Sequence, residues 1–141
     1  YYLADTFQIM LERGDRIGVQ PIRSIVDVGS PANRLDANRR LLQRDAARQE
    51  PPAGLGGSVA IVPPVYIHPS AVVERAVIGP HVTICRDARV RDSIISDSII
   101  DPGATVSAVI LRDSVVGENA TISGQAQAVI VGDDSQIRNV G

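Results

Sequence analysis

The chain has 141 residues, room for one ordinary domain or two small ones, and a formal net charge of −2. That charge excludes the strongly positive field of a nucleic-acid binder and the basic face of a membrane-surface protein. All 14 basic residues are arginine, so the chain has no lysine to form a Schiff base, grip a nucleotide phosphate or act as a catalytic amine. The aromatics are Tyr1, Tyr2, Phe7 and Tyr66 alone, so most of the chain must pack with Ile, Val, Leu and Ala. Cys85 is the single cysteine, which excludes an intrachain disulfide and fits a reducing compartment; a cytoplasmic location is expected. No apolar stretch reaches transmembrane length and no charged leader opens the chain, so neither a membrane nor a secretory signal is expected.

In chain order, Leu3, Phe7, Ile9, Met10 and Leu11 recur near helical spacing, with Arg13 in the last turn and Gly14 as a C′ residue. Two apolar runs, 17–22 and 25–28, broken by Pro21 and Arg23, read as strands. Ser30 is a good N-cap and Pro31 a good first helical residue. In the helix that follows, Leu35, Leu41 and Leu42 form an apolar face, and Arg34, Arg39, Arg40 and Arg44 a wet one. About 45 residues bury too little surface to fold alone, so this part reads as the end of a larger domain. Two prolines and three glycines between Glu50 and Gly57 mark a linker. The expected organisation is therefore 1–48, a linker at 49–58, and 59–141.

The second part repeats. Rows beginning at Ile67, Ile84, Ile100, Val116 and Val131 start 17, 16, 16 and 15 residues apart. Position five is Ala71, Ala88, Ala104, Ala120 and then Ser135; position seven is Val73, Val90, Val106, Ile122 and Ile137; position twelve is Ile78, Ile95, Leu111 and then Gln127. Such a fixed period marks a solenoid. Aliphatics six, five and five residues apart make three short strands per turn, and hence a triangular coil stacked at strand spacing, about 4.8 Å. Position four (Ser70, Asp87, Gly103, Asn119, Asp134) is rich in residues that tolerate positive φ at a corner. The fold class is mainly β: a parallel β-helix of about four coils after a short α/β segment.

Residues 78–84 (Ile-Gly-Pro-His-Val-Thr-Ile), 100–106 (Ile-Asp-Pro-Gly-Ala-Thr-Val) and 116–122 (Val-Gly-Glu-Asn-Ala-Thr-Ile) resemble the hexapeptide repeat of left-handed parallel β-helices. The left hand is implied by that resemblance, since general crossover rules favour the right. The likeness covers about residues 61–137. Residues 5–14, 25–31 (Ile-Val-Asp-Val-Gly-Ser-Pro) and 35–42 (Leu-Asp-Ala-Asn-Arg-Arg-Leu-Leu) resemble the end of the catalytic domain of sugar-1-phosphate nucleotidyltransferases of the glucose-1-phosphate thymidylyltransferase and mannose-1-phosphate guanylyltransferase kinds. Their signature is aromatic-x-Asp-x-Gly-Thr-Pro; here Ile25 replaces the aromatic and Ser30 the threonine.

That resemblance implies an enzyme joining a nucleoside triphosphate to a sugar 1-phosphate with release of pyrophosphate. Asp27 would help bind its Mg²⁺, as suits a carboxylate beside a glycine that lets a phosphate approach. Alternatively, Asp27 caps a turn. The family's Gly-rich phosphate loop, G-x-G-T-R-L-x-P, and its catalytic lysine do not occur in this chain. The expectation is a catalytically silent piece, with no catalytic residue of its own, whose β-helix serves assembly or regulation.

Two other classes compete. A hexapeptide acyltransferase would use His68 or His81 as general base. His68, Cys85 and Asp101 share position two and should stack in an outward column, either as a nucleophile arrangement or as tolerated polar residues before a corner; Gly117 and Gly132 continue it. His81 follows Gly79 and Pro80 at a corner and is expected in solvent. Two histidines cannot supply the three ligands of a β-helix zinc site. The last class is a non-catalytic assembly module. Val72, Val77, Ile94, Ile99, Val109 and Val115 adjoin inward positions, and several should point outward and favour a homo-oligomer. Arg75, Arg86, Arg89 and Arg91 cluster as a set that could receive a phosphorylated effector, but Asp87 and Asp92 interleave with them and the stretch reads rather as a solvated, self-compensated face.

Overall fold

The structure, a computed structural model, describes residues 3–22, 25, 28–46, 55, 58–124 and 130–138. Helix α1 spans Leu3–Glu12 and ends as its sequence requires: Gly14 takes φ 78°, and its N–H and that of Asp15 return to the carbonyls of Leu11 and Met10. Helix α2 spans Pro31–Asp45. Ser30, extended at φ −129° and ψ 155°, accepts a hydrogen bond from the Asn33 amide at 3.2 Å, and Pro31 opens the first turn.

The strands expected between the helices do not form at residues 17–22, which take no regular structure, with Val19 92 % and Ile22 66 % exposed. A strand needs a neighbouring edge to satisfy its backbone. Among the described residues, the three sheets pair only solenoid strands. Ile25 and Val28 are likewise exposed and outside any strand, while residues 23–24 and 26–27 lie outside the described residues.

From Val59 onward the chain winds into a parallel β-solenoid of about four turns. Its strands are β1 (Val59–Ile61), β2 (Val65–Ile67), β3 (Val72–Glu74), β4 (Ala76–Ile78), β5 (Val82–Ile84), β6 (Arg89–Arg91), β7 (Ile94–Ser96), β8 (Ile99–Ile100), β9 (Thr105–Ser107), β10 (Ile110–Arg112), β11 (Val115–Val116), β12 (Thr121–Ser123), β13 (Ile130–Val131) and β14 (Gln136–Arg138). They stack into three parallel sheets, β1-β4-β7-β10, β2-β5-β8-β11-β13 and β3-β6-β9-β12-β14. The register carries Ile67 onto Ile84 and Ile100, and Val73 onto Val90, Val106 and Ile122. These are the repeat columns read from the sequence. They fill the interior: Ile84, Ile100, Val116, Ala88, Ala104, Ala120, Val90, Val106 and Ile122 are all fully buried.

Two further inward columns complete the prism. One runs Ala76, Ser93, Val109, so Val109 lies inside rather than out; the other runs Val65, Val82, Ser98, Ser114. Three buried serines are satisfied by the backbone beside them. The Ser93 hydroxyl donates to the Arg91 carbonyl at 2.6 Å, that of Ser98 to Ser96 at 2.6 Å, and that of Ser114 to Arg112 at 2.8 Å. Each serine follows an aspartate (Asp92, Asp97, Asp113) that makes the turn itself.

The corners use left-handed backbone in three columns. Asp87, Gly103, Asn119 and Asp134 form one, Arg75, Asp92, Ala108 and Gly124 the second, and His81, Asp97 and Asp113 the third, with φ between 44° and 99°. Aspartate and asparagine tolerate this region because their short polar side chains bond locally. Along each column the corner amide donates to the previous coil, as Asn119 does to Pro102 at 3.0 Å and Asp97 to Pro80 at 2.8 Å.

Candidate functional site at the helix–solenoid junction

The three outer faces of the prism differ. On the third sheet the outward residues are mostly polar: Arg89, Thr105 and Thr121 in one column, Glu74, Arg91, Ser107 and Ser123 in the next. On the first sheet they are aliphatic, with Ala60, Val77, Ile94 and Ile110 in register and all exposed. On the second sheet Thr83, Ile99 and Val115 are in register. Ile99 and Val115 are each only 5 % exposed although they lie outside the interior cluster. Helix α2 packs on this sheet and buries its own Ala37 and Leu42. Of the aliphatics expected outside, Val72, Val77 and Ile94 are exposed, while Ile99 and Val115 point outward but are covered.

The seat of α2 is polar. Arg34 pairs with Asp101, whose side chain is 9 % exposed. Arg39 donates from Nε and Nη2 to Asp97 at 3.1 and 3.0 Å and also reaches Asp113 at 3.6 Å. Asn38 donates to the His81 carbonyl at 3.1 Å and accepts from the Thr83 hydroxyl. So the wet face read from the arginines is half wrong. Arg40 and Arg44 do lie outside, paired with Asp36 and Asp45, but Arg34 and Arg39 are the docking face. A guanidinium facing a carboxylate at a partly dry seam forms a charge-assisted bond, and composition alone cannot tell such a seam from a wet surface.

His81 lies in the same seam rather than in solvent, its side chain 18 % exposed. Its Nδ1 lies 3.1 Å from Asp97, so Nδ1 carries the proton, and its Nε2 faces the Gln43 amide at 3.1 Å. The Asp97 carboxylate orients the ring, and Gln43 occupies the nitrogen that a general base would use.

The outward column His68, Cys85, Asp101 forms as expected, each amide bonded to the coil above: His68 to Ile84, Cys85 to Ile100 and Asp101 to Val116, all at 2.9 Å. The His68 ring is held by its own corner, with Nδ1 accepting from the Ser70 amide at 3.2 Å and lying 2.9 Å from the Ser70 hydroxyl. Burial pushes the Cys85 thiol above its ordinary value; Asp101 adds to the rise, and Arg34 and Arg86 oppose it. A thiol so placed stays protonated at neutral pH, which is unfavourable for a nucleophile.

The arginine face of the first coils is self-compensated where pairs form. Arg75 forks onto Asp92 at 2.6 and 2.9 Å, and Arg91 reaches Glu74 at 3.2 Å. Asp27 lies outside the described residues, and among those described no three His, Cys, Asp or Glu side chains gather as a metal site. Among the described residues no helix is long and apolar enough to cross a membrane. Sequence reading missed Asn38, Gln43, Asp97 and Asp113. The repeated Asp-Ser dipeptide at 92–93, 97–98 and 113–114 was the available signal for the two aspartates.

Repeats, corners and columns together define the class: a hexapeptide-repeat parallel β-solenoid with a helix laid along one face. No family model matches the sequence. Over 134 residues the chain is 27 % identical to the bifunctional protein GlmU of Clostridium botulinum (strain Eklund 17B / Type B), a match covering 86 % of this chain and 28 % of that protein. The chain thus spans less than a third of the relative's length, and the similarity bears out the resemblance to the C-terminal, hexapeptide-repeat region of a sugar-1-phosphate nucleotidyltransferase.

Proposed function

We propose that this chain is the C-terminal region of a sugar-1-phosphate nucleotidyltransferase. The parent enzyme would let a phosphate oxygen of the sugar 1-phosphate attack the α-phosphorus of a nucleoside triphosphate. The bond to the β-phosphate breaks, and pyrophosphate leaves with the electron pair. In this reading residues 1–48 close the catalytic domain, 49–58 link, and 59–141 form the assembly or regulatory solenoid of a cytoplasmic enzyme. Asp27 would be one of the Mg²⁺ ligands of the parent. The phosphate loop and the catalytic lysine would come from elsewhere in the parent, so the 141 residues alone are inactive.

One observation carries the reading. The helix that the resemblance assigns to the end of the catalytic domain is seated on the solenoid by Arg34–Asp101 and Arg39–Asp97. A seat of this kind gives the solenoid a mechanical hold on a catalytic unit. The aliphatic stripe Val77, Ile94, Ile110 is the surface through which copies would assemble. The test is pyrophosphate release from nucleoside triphosphate and sugar 1-phosphate by the parent protein, and none by the 141-residue chain. A parent without turnover on any sugar 1-phosphate sinks the reading. In light scattering, the wild-type chain should exceed 15 kDa at micromolar concentration, and Ile94→Arg should return it to a monomer. A wild-type monomer removes the assembly role.

The His81–Asp97 pair favours a second reading, an acyltransferase with His81 as base, which requires Gln43 to move off Nε2. Turnover of acetyl-CoA by this chain, lost in His81→Ala, would replace the first reading with the second.

A further inference from the structure

Helix α2 has little to hold it as a helix by itself. Fifteen residues stand at the margin of helix stability in water. Only Ala37 and Leu42 are buried, so the helix brings a small apolar contact to the sheet beneath it. Its remaining fixings are polar side-chain contacts with the solenoid: Arg34 on Asp101, Arg39 on Asp97 and Asp113, Asn38 on Thr83 and the His81 carbonyl, and Gln43 on the His81 ring. The coils are held quite differently, by continuous backbone ladders around an interior of fully buried aliphatics. The two parts therefore draw their stability from separate sources, and elements with few buried apolar contacts open at lower free energy than a core.

We infer that α2 is a releasable clasp on the second sheet: it opens as a unit while the coils stay folded, and Asp97 and Asp101 set how firmly it closes. Opening uncovers the outward aliphatics Ile99 and Val115, which the closed clasp keeps dry. The inference rests on the reading above only for its consequence: if α2 ends a catalytic domain, the hold of the solenoid on that domain is adjustable rather than permanent.

Amide hydrogen exchange on the 141-residue chain tests it. In the wild type, amides of the last two turns of α2 should exchange at least about tenfold faster than those of Thr83, Cys85 and Asp101 in the coils. In the double variant Asp97→Asn/Asp101→Asn the α2 amides should speed up about tenfold again, with the coil amides unchanged. Arg40→Ala, at an exposed pair, is the control and should leave both sets alone. A single common rate for α2 and coil amides overturns the clasp, as does a double variant that accelerates both sets equally or neither. Should that variant fail to fold, the wild-type comparison still decides. Exchange rates are blind to transferase activity: a parent without turnover removes the proposed function and leaves the clasp standing, whereas a common exchange rate does the reverse.

Discussion

Replacing Ser98 by alanine should cost the fold far more than the loss of one oxygen implies. Ser98 is fully buried; its hydroxyl donates to the Ser96 carbonyl at 2.6 Å and accepts from the Ser114 amide at 3.2 Å. Alanine removes two hydrogen bonds, each worth about 1 kcal/mol net, and takes the Ser98 acceptor away from the Ser114 N–H at a buried position where water cannot replace it, at a further cost of about 1–3 kcal/mol. The expected loss is about 3–5 kcal/mol. Ser70 is the matched control. It also accepts an amide from the next coil, that of Asp87 at 3.0 Å, but at an exposed corner where water can replace the hydroxyl. Ser70→Ala should therefore cost about 0.5 kcal/mol or less. Urea unfolding followed by far-UV circular dichroism reads both. At a slope of about 1–3 kcal/mol/M, the midpoint of the Ser98 variant should fall by at least about 1 M with the slope unchanged. Equal, small losses in the two variants would refute the reasoning, because burial would then not decide the cost of a lost serine.

The corners supply further expectations. Gly79 sits at φ 112°, and a Cβ there would overlap the Val62 carbonyl, so Gly79→Ala should leave no folded protein by circular dichroism. Gly103→Ala, at φ 68°, meets chiefly the movable Asn119 amide and should cost about 1–2 kcal/mol by urea unfolding. Ala108 holds φ 54° at an exposed corner without a side chain suited to it, so Ala108→Asn should raise stability by about 0.5–1 kcal/mol. The Asp92 carboxyl is held below its ordinary value, first by the hydrogen bond from Arg75 and then by the Coulomb attraction of Arg75 and Arg91. A depressed carboxylate contributes stability above its unfolded value and loses it as pH falls through the folded one, so the effect is confined to acid. NMR titration should show Asp92 deprotonating at a lower pH than in Arg75→Gln; identical titrations would remove the pair as cause.

How far the sequence discloses this molecule depends on whether a feature is local to one coil. Ile84, Ile100 and Val116 announce an interior column because the period brings each onto the last, and Asp87, Gly103 and Asn119 announce a corner because few residues accept that backbone. The same logic reached α1 and the Ser30 cap. It stopped where a face is covered from elsewhere in the chain. Ile99 and Val115 alternate like exposed residues, and only the docking of α2 makes them dry. Arg34 and Arg39 look like Arg40 and Arg44 in composition, and only the carboxylates of Asp101 and Asp97 opposite them separate the two pairs. The strands expected at 17–22 failed for a related reason, since a period shows which residues suit a strand but not whether an edge waits for it. The inward serines at 93, 98 and 114 went unread, because one of their columns also holds Val109 and so shows no single residue type, although each serine directly follows an aspartate.

The in-line register of the three sheets also has a mechanical side. Each coil bonds only to the coil before and after it, so the stack resembles a chain of springs in series rather than a single block. Tension along the prism axis loads the same few backbone bonds at every level, and the coil with the weakest ladder parts first. Load applied through α2 enters at the third column of corners, at Asp97, and at Asp101 beside it, and spreads from there in both directions along the axis.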